Sequence, residues 1–218
     1  MPNVQIPAGS RIYMQSAVSA AQEVSAISAA SPGVVSYVGT DPADGSYMAL
    51  TDMVGMTELE DALVKVSNVD TGADTFEMKD QDTTGFETFV SGNMVPVTIG
   101  TEIKVASGMS MSGGEQEFAE YQYLWDKIKR RIPTTQTPVQ VDIPAIWDPQ
   151  DPSMIAVKKA ADTSAKTAFK IVFPSGVELL FYGYVGASGL PNASDLSSVV
   201  STTISVAAAT KPLPVFPA

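Results

Sequence analysis

A chain of 218 residues with 44% hydrophobic side chains can bury a sizeable core, while 16 Gly and 15 Pro imply many turns. It holds no Cys and no His, which removes disulfides, thiolate metal sites, cysteine nucleophiles and the commonest general base. Lys and Arg number 13 against 24 Asp and Glu, and the net charge of −11 disfavours tight binding to nucleic-acid phosphates.

The opening "MPNVQIPAGSRIYM" shows no basic region followed by an apolar run, and no stretch reaches the length of a membrane span. Neither a secretion signal, a transmembrane helix nor membrane insertion is expected. Residues 11–18 read as a strand. Residues 17–30, rich in Ala and Ser, permit a helix, but a strand followed by loop or a short helix is the favoured reading.

From Gly33 the pattern is sheet-like. "VVSYVG" and "SYMAL" flank the turn "TDPADG", and "MTELEDALVKVSNV" predicts one acidic helical turn leading into a strand. "DTFEMKD" is a further strand before the turn "DTTG", and Val95, Val97 and Ile99 alternate in the next.

The expected helix is residues 115–132. Phe118, Tyr121, Leu124, Trp125, Ile128 and Ile132 recur three, four or seven apart, Ser112 and Glu115 suggest a capping box, and Pro133 stops the run. Its apolar face predicts core packing against a sheet, and the "KIKRR" cations suit its C-terminal dipole.

"VQVDIPAIWD" reads as a strand, "PQDPSMIAVKKAADTSAK" as loop plus a short strand, and "SSVVSTTISVAAAT" as the last strand before the Pro-rich tail "KPLPVFPA". Between them, "FKIVFPSGVELLFYGYV", residues 169–185, is a hairpin apolar on both faces. Phe169, Ile171, Phe173, Leu179, Phe181 and Val185 fall on one side and Leu180, Tyr182 and Tyr184 on the other. Such strands must be covered twice, by the chain's own helix or second sheet or by a neighbouring copy. No repeat or flexible linker divides the chain, so a single domain over 1–218 with extended termini is expected.

Chemical motifs are few. "DTGAD", Asp70 to Asp74, is similar to the aspartic-protease motif, but the apolar strand, flap and backing loop that this chemistry needs are missing, and a turn explains it better. "DPADG" and "KDQDTTG" lack the ligand spacing of a calcium loop. The sequon at Asn192 matters only in a glycosylating compartment. No catalytic residue, metal site or cofactor is predicted, and the chain is not expected to be an enzyme.

Two stretches carry a resemblance. "FEMKDQDTTGFETFVSGNMVPVTIGTEIKV", residues 76–105, and "FKIVFPSGVELLFYGYVGASGLPNASDLSSVVSTTISV", residues 169–206, are similar in order and spacing to the major tail tube proteins of long-tailed, siphovirus-type bacteriophages. "GSRIYM" looks like that family's opening strand. The resemblance implies a mainly β fold, a sandwich or barrel flanked by one helix. It also implies a structural virion protein that self-assembles into stacked hexameric rings, made in the host bacterial cytoplasm and incorporated in the virion tail.

DNA would pass through the lumen without tight binding. The implied partners are further copies of the chain and the tape-measure, tail-tip and tail-terminator proteins. Ring-stacking candidates are the loop residues Asp41, Asp44, Asp70, Asp74, Asp80 and Asp82. Rival readings are a carbohydrate-binding or adhesive β-sandwich module, which needs an exposed aromatic platform, and a secretion-system tube protein.

Overall fold

A computed structural model describes residues 8–105, 108–187, 191 and 199–217. It is mainly β, with one α-helix. The first half of the chain gives β1 (Arg11–Val18), β2 (Gln22–Ile27), β3 (Val34–Val38), β4 (Tyr47–Val54), β5 (Leu63–Asp70), β6 (Thr75–Met78) and β7 (Ser91–Ile103). The second half gives β8 (Ser110–Ser112), β9 (Gln116–Tyr121), β10 (Arg130–Gln136), β11 (Val139–Ile146), α1 (Pro152–Thr163), β12 (Lys166–Val172), β13 (Glu178–Ala187), β14 (Ser201–Ala208) and β15 (Leu213–Val215).

Six strands in the order β2-β3-β6-β5-β4-β7 close into a barrel, because β2 also pairs with β7. Alternation directs Val35, Leu50, Val66 and Phe76 inward, and five methionines, Met48, Met53, Met56, Met78 and Met94, join them. Unbranched thioethers fill the irregular spaces left between branched side chains. The short acidic stretch before β5 forms a single 3₁₀ turn, Thr57–Leu59, as its sequence predicts.

β7 is 13 residues long and belongs to two layers. β4 lies along one edge of it, while β2 and then β1 run along the other. From β1 a second sheet continues through β12, β13, β14, β11 and β8. An isolated bridge between Val105 and Ala145 brings the end of β7 back to β11, so this sheet curls around the apolar side of α1. Val157 and Ala160 of the helix meet Phe169, Ile171, Phe181 and Val206 there, with the rings of Phe169 and Phe181 stacked at 5.3 Å.

The other face of the hairpin β12–β13 is covered by the same chain. Ala168, Leu180 and Tyr182 pack with Ala49, Leu63 and Val97 of the barrel wall and with Val215 of β15. The double apolar pattern of residues 169–185 thus records a sheet clamped between a helix and a barrel. Leu179 and Phe173 lie half-buried beside the helix-side cluster, and Tyr184 is exposed.

Three expectations are corrected. Residues 115–132 are not a helix: they form most of a two-stranded hairpin, β9 and β10, with Tyr121 opposite Arg130 and Phe118 opposite Pro133. Tyr121, Tyr123 and Trp125 also alternate with period 2, and cross-strand pairs such as Arg131 to Glu120 at 2.8 Å favour the extended form. At the base Gly113 has φ +91°, and a Cβ there would collide with the Pro138 carbonyl, which fixes the point where the chain turns outward.

The helix lies instead at Pro152–Thr163, within the stretch expected to be loop and a short strand. Asp151 caps it by accepting from Ser153 N at 2.9 Å, and Pro152 occupies the first turn, where its missing N–H costs nothing. Residues 22–27, expected as loop or a short helix, are β2, held between β3 and β7. The Asn192 sequon lies outside the described residues.

Candidate functional site

Among the described residues, the β9–β10 hairpin lies uncovered, an arm attached through Gly114 and Thr137. Among the described residues its two strands form a separate sheet, β10 paired with β9. At its tip Leu124 is fully exposed, Trp125 is 82% exposed and Ile128 is 71% exposed, and Tyr123, Phe118 and Ile132 are also open to solvent. A run of large apolar side chains on one projecting element marks an interaction surface.

The arm is ordered by its own contacts. Tyr123 stacks on Trp125 at 5.1 Å, Tyr121 meets Tyr123 edge-on at 5.7 Å, and Arg130 lies over the Tyr123 ring. Glu120 pairs with both Lys129 and Arg131, Asp126 pairs with Arg130, and Lys127 makes no ion pair among the described residues. Four cations and two carboxylates over residues 120–131 make this the basic end of an acidic chain.

The residues singled out in the sequence therefore fall into two places. Phe169, Ile171, Phe181 and Tyr182 are interior, with Phe173 and Leu179 at its margin. Phe118, Tyr121, Leu124, Trp125 and Ile128, expected to face a core, are on the exposed arm. Tyr123 belongs with them and was legible only in the period-2 pattern of Tyr121, Tyr123 and Trp125.

The loop carboxylates are scattered over the barrel. Asp41 accepts from the Tyr37 hydroxyl at 2.9 Å, and burial with this bond pushes that phenol up to about 12. Asp44 is exposed in the turn before β4, and Asp74 sits at φ +51° in the turn after β5. Asp70 closes the same turn by accepting from Gly72 N and Ala73 N, so "DTGAD" is an exposed β-turn segment. Asp80 accepts from Phe216 N at 2.8 Å and fastens the tail after β15. Asp82 accepts from the Thr84 backbone and hydroxyl, bonds that hold its carboxyl below the ordinary range.

Polar bridges lock the two layers where apolar packing ends. Tyr47 donates to Glu178 at 3.0 Å, Lys65 reaches the same carboxylate at 2.9 Å, and Lys170 donates to the Tyr47 oxygen at 3.1 Å. Burial pushes the Tyr47 phenol up and lowers Lys170. Lys166 holds Asp61 from the opposite layer.

Among the described residues no three His, Cys, Asp or Glu side chains gather as metal ligands, and no helix is long and apolar enough to cross a membrane. No curated protein matches the chain. The family profile described as phage tail tube protein, TTP, matches residues 54–212, a span that holds the arm, α1 and the doubly covered hairpin. With most of its length matched, this chain belongs to the phage tail tube protein family, a structural family of the virion tail.

Proposed function

We propose that copies of this chain assemble side by side into hexameric rings, and that the rings stack into the hollow tail tube through which DNA reaches the host. The observation that carries this is the arm. Leu124, Trp125 and Ile128 expose apolar surface that none of the described residues of the same chain covers, on an otherwise acidic protein. A folded chain gains by burying such surface, at about 25 cal/mol per Å².

In this reading the chain acts as one structural unit, since β7 runs through both layers. Its partners are further copies, with tape-measure, tail-tip and tail-terminator proteins setting length and ends, and assembly precedes release from the bacterial cytoplasm. Carboxylates facing the bore would repel DNA, so that it slides without sticking. Loops bearing Asp44, Asp70 and Asp74 are exposed and suit contacts between rings.

Negative-stain electron microscopy of the purified chain at high concentration, with sedimentation, tests the reading. Six-fold rings or hollow tubes are expected. Monomers at every concentration, with no tubes when tail-tip protein is added, would refute it.

One observation favours a second reading, glycan binding: Trp125 and Tyr123 offer exposed aromatic surface. Their mutual stacking hides one face of each ring, and Leu124 and Ile128 beside them suit a protein partner better. A glycan array would decide it.

A further inference from the structure

A second uncovered surface lies at the base of the arm. A groove of about 650 Å³ opens between the 3₁₀ turn, the start of β5, the arm base at Gly114 and Thr137, and the 208–213 segment. Its volume falls in the range of sites that enclose a small ligand. Half-buried Phe86, Val139 and Leu213 supply the accessible apolar lining, with the buried Leu59 and Leu63 beneath it.

Its charges are mostly negative. Glu58 and Glu60 are among the lining residues, Glu60 accepting from Met53 N at 2.6 Å, Asp61 is neutralised by Lys166, and Lys211 is the cation among the described lining residues. Glu58 is exposed, and its Oε1 accepts a long bond, 3.4 Å, from Glu87 N. The arm tip has the opposite character: apolar Leu124, Trp125 and Ile128 beside Lys127, which makes no ion pair among the described residues.

The tip cannot enter the groove of its own chain. Gly114 and Thr137 line that groove and also begin the arm, and pairing of β9 with β10 keeps the arm extended. Five residue steps from Gln116 to Tyr121 carry the tip roughly 17 Å away before the turn begins. Donor and acceptor sit at different places on one molecule, so a contact between them is heterologous and propagates from copy to copy, closing into a ring or continuing as a filament.

We propose that the arm tip, through Leu124 and Trp125, seats in this groove of a second copy, with Lys127 approaching Glu58. The proposal rests on the tube reading in that it names the contact by which copies join.

A chain without cysteine allows a clean test. Full-length Leu124→Cys is mixed with full-length Thr210→Cys, which places a thiol on the groove lining, and in parallel with Lys158→Cys, which places one on the exposed side of α1. Under mild oxidation the first pair should form disulfide-linked heterodimers at least ten-fold faster than the second. Adding Glu58→Lys to the groove partner should slow the first pair several-fold, and circular dichroism confirms that each variant is folded.

Equal rates in the two mixtures would overturn the proposal, even where microscopy of the unaltered chain shows rings. Selective cross-linking without any ring or tube in those micrographs would leave the contact standing and remove the tube reading. The two failures are therefore separable.

Discussion

Lys166 Nζ lies 2.7 Å from both carboxylate oxygens of Asp61, joining the first residue of β12 to the turn that precedes β5. Asp61 is buried and sits at φ +60°, a conformation that Asn tolerates and Ala does not. Asp61→Asn should therefore lose only the charge, costing about 1.5–3 kcal/mol in urea unfolding. Asp61→Ala should cost roughly 1–2 kcal/mol more through backbone strain. The bond raises Lys166 above its ordinary 10.5, so its contribution is complete below pH 10.5 and is lost as pH rises through the folded value. Equal costs for the two variants would show that the backbone conformation carries none of the effect.

Acid should loosen the helix start. Asp151 accepts from Lys104 Nζ and from Ser153, and these bonds lower its carboxyl from 3.8 to about 2. A lowered acid contributes stability above its unfolded value, and that contribution fades as pH falls from about 4 towards about 2. Asp151→Asn, which keeps a capping side chain, should flatten this dependence in thermal melts. Asp151→Ala should cost about 0.5–2 kcal/mol at neutral pH.

Core and arm should separate sharply under mutation. Phe169→Ala removes a fully buried ring stacked on Phe181 and should destabilise the fold by about 3–5 kcal/mol. Trp125→Ser on the arm should change the unfolding free energy by no more than about 0.5 kcal/mol, while reducing any assembly seen by sedimentation. A comparable loss of stability from Trp125→Ser would return residues 115–132 to the core.

Glu178 is the shared acceptor between barrel and sheet, so Glu178→Gln leaves Lys65 and Lys170 facing each other without a counter-charge. A loss of about 1.5–3 kcal/mol is expected at pH 7. Lys170 is already held below 10.5, so the unfolded chain binds more protons than the folded one as pH approaches that value. The variant should consequently recover part of its lost stability in urea titrations as pH rises towards 10.5, and a further fall there would contradict this account.

Strands were legible where alternation was strong. Phe169, Ile171, Phe181 and Val185 on one side and Leu180 and Tyr182 on the other gave both faces of the hairpin, because period 2 survives whatever covers it. The arm misled because Phe118, Tyr121, Leu124, Trp125 and Ile128 satisfy helical spacing, and only the non-local pairing of residues 116–121 with 130–136 decides against it. For α1 a local signal was present in Asp151, Pro152 and Ser153, followed by Met154, Val157 and Ala160 at helical spacing. The barrel's closure through β2 and β7, and the groove beside the 3₁₀ turn, depend on residues distant in the chain and leave no local trace.

β7 gives the molecule its mechanical character. Because this one strand is laced to β4 on one side and to β2 and β1 on the other, a pull on the second sheet loads the barrel's own hydrogen-bond ladder directly. Along β7 itself the two layers are joined by continuous strand. A stack of such bodies would bend the way a chain of stiff beads bends, by opening and closing the seams between beads while each bead keeps its shape.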